Sequence, residues 1–271
     1  MILEKIQLAP TEATLTALCY PPFFNSMQIT PRRAVIICPG GGYGFLAERE
    51  ADPIAVSFLA AGFATFILNY TVKKGAENYA PLKQVALAVK YVREHAEEYN
   101  IDPAYVFTCG SSAGGHLAAS AGVLWNSPVL DEVLGDAPKG INRPTGMILC
   151  YPVITAGEWT NKTTIANLCG TKEFTKEEGD RFSLELHVND TTCPAFIWHT
   201  FADTTVPVQN SILMADAMTN AKVPFELHIF PEGKHGLSTC TELVGTPLPH
   251  NECWMELAIR WVKDLTVTQE S

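Results

Sequence analysis

VFTCGSSAGGHLAA, residues 106–119, is the stretch that decides the fold. It begins as an apolar run rich in β-forming residues, passes through a Gly-x-Ser-x-Gly turn centred on Ser112, and continues as a run of small residues suited to a helix. This order predicts a nucleophile elbow, in which a sharp strand-to-helix turn exposes the serine hydroxyl. Gly110 and Gly114 fit because larger side chains on either side of the serine would collide. Ser112 is therefore the candidate nucleophile.

Strand-like and helix-like runs alternate along the rest of the chain. A helix is expected from Asp52 to Gly62, and a second with 3.6-residue apolar periodicity from Pro81 to Asn100. At least five alternations predict an α/β fold in one domain of residues 1–271, with a mostly parallel sheet between helices. Two short runs at the start predict antiparallel lead-in strands. The predicted strands cover residues 2–8, 14–19, 33–38, 63–68, 104–109, 145–151, 194–199 and 225–230.

Residues 153–192 interrupt this alternation with a mixed polar and aromatic stretch. An insertion at this point could form a small cap over a pocket, or a surface excursion of short helices. The sequence leaves both interpretations open.

The charge balance limits the partners. The chain has 19 Lys and Arg against 29 Asp and Glu, a net charge of −10, and no local run of basic residues. Nucleic acid and anionic membranes are therefore not expected as partners. The expected partner is a small-molecule substrate, and a homodimer is possible. The first residues lack the pattern of a signal peptide and no apolar run reaches bilayer length, so a cytoplasmic location is expected.

The eight cysteines show neither a Cys-x-x-Cys pair nor zinc-like spacing. We expect them to be reduced and structural. No metal and no cofactor are expected.

A serine nucleophile needs a base and a carboxylate that orients the base, each from a loop after a later strand. Asp203 follows the strand at 194–199, and His235 follows the strand at 225–230. Glu232 is the rival acid. His116 is expected to be a packing residue, and His199 could line the site because it ends a strand close to Asp203.

The triple glycine 40–42 follows a buried strand and could turn N–H groups towards Ser112. Gly41, Gly42 and Ala113 are the candidate donors of an oxyanion hole. Residues 42–47 also fit the dinucleotide-binding pattern G-x-G-x-x-A, which would make the chain a nucleotide-binding oxidoreductase. That motif expects an acidic residue at the end of the next strand, where Asn69 and Tyr70 stand, so the nucleotide interpretation is disfavoured.

Taken together, residues 38–43, 68–70, 110–119, 203–207 and 233–236 resemble the α/β-hydrolases of the hormone-sensitive-lipase branch. The resemblance is closer to the bacterial acetyl-esterase and feruloyl-esterase-like relatives called sugar hydrolases. It implies an α/β-hydrolase fold without a cofactor. The catalytic residues it implies are Ser112, Asp203 and His235, with donors Gly41, Gly42 and Ala113 and candidate substrate contacts Tyr43, Asn69 and Ser111.

Two departures from the pattern of the lipase-like branch narrow the range of substrates that the resemblance implies. Pro39 stands where the lipase-like branch has His, and residues 71–74 read TVKK where the branch has Arg-Leu-Ala-Pro. The resemblance therefore implies a serine esterase for short acyl chains, and deacetylation of carbohydrate esters such as acetylated xylo-oligosaccharides. A serine peptidase or a feruloyl esterase on the same fold, and a binding protein on a non-catalytic hydrolase scaffold, are the alternatives.

Overall fold

The computed structural model describes residues 1–24 and 27–266. Residues 25, 26 and 267–271 of the expected single domain lie outside this part. The strands are β1 Ile2–Gln7, β2 Thr14–Cys19, β3 Phe23–Phe24, β4 Met27–Gln28, β5 Arg32–Cys38, β6 Ala64–Asn69, β7 Ile101–Ser111, β8 Gly146–Cys150, β9 Ala195–Thr200 and β10 Phe225–Phe230. The α-helices are α1 Asp52–Ala60, α2 Ala80–Glu94, α3 Ala113–Val123, α4 Asp131–Leu134, α5 Lys162–Cys169, α6 Lys176–Asp180, α7 Gln209–Asn220 and α8 Pro249–Asp264.

Eight strands form one sheet in the order β1-β2-β6-β5-β7-β8-β9-β10. The six strands from β6 to β10 in this order pair in parallel, whereas β1 pairs with β2, and β2 with β6, in antiparallel fashion. The expected α/β fold with antiparallel lead-in strands is confirmed. Parallel strands end at the same edge, so the loops after β5, β7, β9 and β10 meet there.

Both faces of the sheet are buried under helices. Along β5, the side chains of Ala34 and Ile36 join one hydrophobic cluster, and those of Val35 and Ile37 join another. The first cluster includes residues of α2 and α3, and the second includes residues of α1 and α8. This two-sided burial explains why β5 reads as a continuous apolar run instead of an alternating one.

The helix expected to reach Asn100 ends earlier, at Glu94. Residues 95–100 form hydrogen-bonded turns that close with Asn100 at φ 52°, and the N–H of Ile101 donates to Ala96 at 2.7 Å. The next strand, β7, begins at Ile101 instead of residue 104. It accommodates Pro103 because its pairing with β5 is irregular between Arg32 and Ala34.

Residues 153–192 contain the short helices α5 and α6 and contribute to a cavity. Asn161, Thr164 and Asn167 of the α5 segment line the cavity described below. Side chains of this segment therefore form part of the cavity wall.

Candidate active site

The turn after β7 holds Ser112 in an unusual backbone conformation, with φ 56° and ψ −119°. A Cβ on Gly110 would lie 1.9 Å from the carbonyl oxygen of Gly114, and a Cβ on Gly114 would lie 2.0 Å from that of Cys38. Only glycine fits at these two positions, because the colliding atoms belong to backbone that cannot rotate away. The turn therefore has the geometry of the predicted elbow.

Replacing Gly114 by alanine is expected to lower the free energy of unfolding by about 3 kcal/mol, because the methyl group would push α3 away from β5. The matched control is Gly44→Ala, whose new methyl would meet its nearest neighbours at 3.6 Å, an ordinary contact distance. Urea denaturation of both variants measures the difference. Equal stability of Gly114→Ala and wild type would contradict the tight turn.

Three side chains from different loops form a continuous hydrogen-bond series. His235 Nε2 lies 2.7 Å from Ser112 Oγ, and His235 Nδ1 lies 2.6 Å from Asp203 Oδ2. The second oxygen of Asp203 accepts hydrogen bonds from the N–H groups of Thr205 and Val206, both at 2.9 Å. Thr200 Oγ1 donates to the carbonyl of Gly233 at 2.8 Å and so connects the acid loop to the histidine loop.

The electrostatics of this series determine the histidine tautomer. Burial opposes ionisation of Asp203, but hydrogen bonds from His199 and His235 outweigh it and hold the pKa of the carboxyl below its usual range. An ionised carboxylate only accepts hydrogen bonds, so Nδ1 of His235 carries a proton and donates it. In neutral imidazole the other nitrogen, Nε2, then accepts the hydrogen bond from the Ser112 hydroxyl.

The candidate oxyanion donors face the same space. Gly41 (φ 120°) and Gly42 (φ 63°) line a cavity of about 790 Å³ together with Ser112 and His235. In the described part of the chain the N–H groups of Gly41 and Gly42 have no acceptor, and that of Ala113 lies in the unpaired first turn of α3. Such N–H groups are available to a negatively charged oxygen.

The three candidate substrate contacts lie away from this cavity. Tyr43 is buried (1% exposed), and its hydroxyl donates to Nδ1 of His116 at 2.9 Å. Ser111 is fully buried at the end of β7, where residues 106–111 are all buried. Asn69 lines a separate small cavity beside Thr16 and Pro39. None of the three borders the space around Ser112.

The two other histidines near the site are internal. Burial lowers the pKa of His116 to about 4, and its Nε2 donates to the carbonyl of Phe182 at 2.9 Å. His116 is thus a neutral packing residue, as the sequence predicted. His199 is completely buried and lies beneath the acid, with its Nε2 3.5 Å from Asp203 Oδ2. It supports Asp203 and does not line the cavity.

Sequence reasoning missed Glu50. Its Oε2 accepts the N–H of Gly40 at 3.0 Å, and its Oε1 accepts the hydroxyl of Tyr151 at 2.9 Å. The Tyr151 oxygen in turn accepts the N–H of Ser238 at 2.8 Å, and the Tyr151 ring lies 5.2 Å from that of His235. Burial raises the pKa of this carboxyl. Glu50 thereby joins the glycine loop to the histidine loop at the wall of the cavity.

Within residues 1–24 and 27–266, no group of three or more His, Cys, Asp and Glu side chains is arranged to hold a metal ion. None of the helices in that part combines the length and apolarity needed to cross a bilayer. All eight cysteines are free.

The mostly parallel sheet, with a serine in the sharp turn after β7, defines the chain as an α/β hydrolase in fold. The family profile named BD-FAE matches residues 23–218. The chain belongs to the BD-FAE family, which confirms the resemblance to these esterase-like hydrolases.

Two curated relatives match most of this chain. The chain is 36% identical over 237 residues to endo-1,4-beta-xylanase B of Butyrivibrio fibrisolvens, covering 84% of this chain and 36% of the relative. It is 32% identical over 244 residues to an acetylxylan esterase of Xylanibacter ruminicola, covering 88% of this chain and 47% of the relative. The chain therefore spans less than half the length of these two relatives.

Solved structures are similar over their whole length. An acetyl ester-xyloside bifunctional hydrolase from Caldicellulosiruptor lactoaceticus superposes with a TM-score of 0.80 at 31% identity, covering 96% of this chain and 95% of the other. The carboxylesterase Cest-2923 from Lactobacillus plantarum superposes with a TM-score of 0.84 at 27% identity, covering 99% and 100%.

Proposed function

We propose that this protein is a serine carboxylesterase that hydrolyses short-chain acyl esters, with Ser112, His235 and Asp203 as its catalytic residues. The observation that carries the proposal is the hydrogen-bond series from Ser112 Oγ through His235 to Asp203 beside a cavity. A serine hydroxyl attacks a carbonyl only when a base takes its proton, and this series supplies the base and its orienting acid.

The proposed reaction has two steps that use these groups in turn. Nε2 of His235 takes the proton as Ser112 Oγ attacks the ester carbonyl carbon. The oxygen of the tetrahedral intermediate accepts hydrogen bonds from the N–H groups of Ala113, Gly41 and Gly42. His235 then protonates the departing alcohol, which leaves an acyl group on Ser112. Water, deprotonated by His235, attacks this acyl group, and the acid is released with the proton returned to Ser112.

We propose further that the alcohol part of the substrate is a carbohydrate. The named acetylxylan esterase and the acetyl ester-xyloside hydrolase support this choice, as does the size of the cavity, which exceeds what an acetyl group needs. Thr163 and Asn167 on its wall are polar side chains that suit sugar hydroxyls. The feruloyl esterase alternative would use the same machinery with a larger acyl group.

Two measurements test the proposal. A fluorophosphonate probe is expected to form a covalent adduct that peptide mapping places on Ser112; absence of labelling would favour a binding protein on a hydrolase scaffold. A panel of acetylated xylo-oligosaccharides, feruloyl esters, short peptides and p-nitrophenyl esters of two to eight carbons is expected to show the highest kcat/KM for acetyl esters. Preference for peptides or for eight-carbon chains would overturn the assignment.

Glu50 is inferred to be a positioning residue. Glu50→Gln is expected to lower kcat for p-nitrophenyl acetate by roughly 10- to 100-fold, because displacement of the glycine loop by even part of an ångström misplaces the oxyanion donors. Asp52→Asn, an exposed carboxylate on α1, is the matched control and is expected to keep the wild-type kcat. A Glu50→Gln protein with unchanged kcat would contradict the inference.

A further inference from the structure

A second cleft adjoins the proposed catalytic cavity. It has a volume of about 430 Å³ and shares two wall residues, Thr163 and Asn167, with the cavity that contains Ser112. Both sides of the cleft are attached to the glycine loop. Asn167 Nδ2 donates to the carbonyl of Gly42 at 2.7 Å, and the N–H of Lys73 donates to the carbonyl of Tyr43 at 2.7 Å. The cleft therefore adjoins the cavity, and both are built against the glycine loop.

The cleft is strongly basic in an acidic protein. Lys73, Lys74, Lys162 and Lys172 border it against a single acid, Glu77, although the whole chain carries a net charge of −10. All four lysines are exposed, and none of them forms an ion pair with another residue in the part of the chain that the structure describes. Lysines that do not neutralise the protein's own acids are available to an external anion.

Folding stability does not account for two of these lysines. Lys162 is the first residue of α5, where the positive end of the helix dipole disfavours a cation. Lys73 has φ 58°, a left-handed conformation that costs a lysine more than a glycine or an asparagine. Lys73 and Lys162 both raise the positive potential of the cleft, although a lysine at either position lowers the stability of the fold. This combination indicates a role in binding.

We propose that this lysine cleft binds a carboxylate on the sugar part of the ester substrate, so that the protein prefers acylated oligosaccharides bearing an acidic sugar such as a uronosyl branch. This inference rests on the proposed esterase function and names the substrate class of the same site. Thr163, Thr171 and Asn167 line the same cleft and suit the hydroxyl groups of a sugar ring. The anion would sit next to the scissile ester without entering the catalytic cavity.

Binding measurements separate this proposal from the esterase proposal, because they require no turnover. Calorimetry with wild type compares a xylo-oligosaccharide carrying one glucuronosyl branch with the neutral oligosaccharide of the same backbone length, both without acyl groups. We expect roughly tenfold tighter binding of the acidic sugar, since each exposed ion pair changes an affinity by up to about fivefold. The preference is expected to shrink from 20 mM to 500 mM salt, as the Debye length falls.

Double variants test which lysines bind the carboxylate. Lys74→Gln combined with Lys162→Gln, one from each wall, is expected to bring the ratio of the two affinities close to one. Lys5→Gln combined with Lys139→Gln removes the same charge from exposed positions outside the cleft and is expected to keep the wild-type ratio. Equal affinities in wild type, equal loss in both double variants, or tighter binding of a phosphorylated sugar would each overturn the proposal. Absence of ester hydrolysis with the binding preference intact would overturn only the esterase assignment.

Discussion

Ser112→Ala is expected to lower kcat for p-nitrophenyl acetate by roughly a million-fold, to the level that the remaining binding groups support. The reason is that no other hydroxyl in the series is 2.7 Å from the base, so alanine removes the only atom that can form the acyl-enzyme in this arrangement. Alanine accepts the φ of 56° about as well as serine, so the fold is expected to remain. Steady-state kinetics and a thermal melt check the two statements.

Two further variants show whether Ser112 acts together with His235. His235→Ala is expected to cost nearly as much as Ser112→Ala, and the double variant is expected to lose no more than either alone, because residues that act as one unit are not additive. Ser57→Ala on α1, where the hydroxyl only bonds the carbonyl of Pro53, is the matched serine control and keeps full activity. A Ser112→Ala protein retaining a tenth of wild-type kcat would disprove the assigned nucleophile.

Asp203→Asn is expected to lower kcat by about 10⁴-fold with little change in the fold. The N–H groups of Thr205 and Val206 both require an acceptor at Oδ1, so the asparagine must keep its oxygen there and turn its NH₂ towards Nδ1 of His235. Nδ1 then becomes the acceptor, and the proton moves to Nε2, which faces Ser112 and can no longer take its proton. Kinetics at neutral pH measures the loss.

A variant of Glu232, the other candidate for the catalytic acid, distinguishes it from Asp203. Glu232→Gln is expected to keep wild-type kcat, since its exposed side chain lies outside the series around His235. If Glu232→Gln were the inactive variant and Asp203→Asn the active one, the assigned acid would be wrong.

Asp203→Asn is also expected to change the stability of the protein in acid. Because the folded protein holds the pKa of Asp203 below its ordinary value, this carboxylate stabilises the fold at any pH above about 3.9. The contribution is lost as the pH falls from there through the depressed pKa of the folded state. Below pH 4 the melting temperature of wild type is therefore expected to fall more steeply than that of Asp203→Asn. Parallel acid profiles would contradict this contribution.

Local sequence patterns predicted much of the fold and part of the candidate site. The Gly-x-Ser-x-Gly turn and the ends of two apolar runs placed Ser112, Asp203 and His235 on the carboxyl edge of a parallel sheet, because each signal lies within a few residues of the atom concerned. The same kind of signal failed for Tyr43 and Asn69. Proximity to the glycine loop in sequence says nothing about the direction of a side chain, and Tyr43 points into the core.

Other parts of the site had no local signal. Glu50 lies among the charged residues between β5 and α1, a pattern typical of a surface acid. It is nevertheless buried in the wall of the cavity and hydrogen-bonded to Gly40 and Tyr151. The lysine cleft escaped detection for a related reason. Its members come from residues 73–74, 162 and 172, so the sequence contains no basic run, and only the packing of α5 beside the glycine loop brings them together.

By itself, the sequence determined the α/β architecture, the elbow and the order of its chemical groups, since periodicity, glycine positions and strand ends depend on interactions between near neighbours along the chain. The tertiary structure decided which side chains face the cavity, which carboxylate connects the glycine and histidine loops, and where lysines from distant segments form a basic cleft. Those properties depend on contacts between segments tens to more than a hundred residues apart, and these contacts exist only once the sheet has formed and the helices have packed on it.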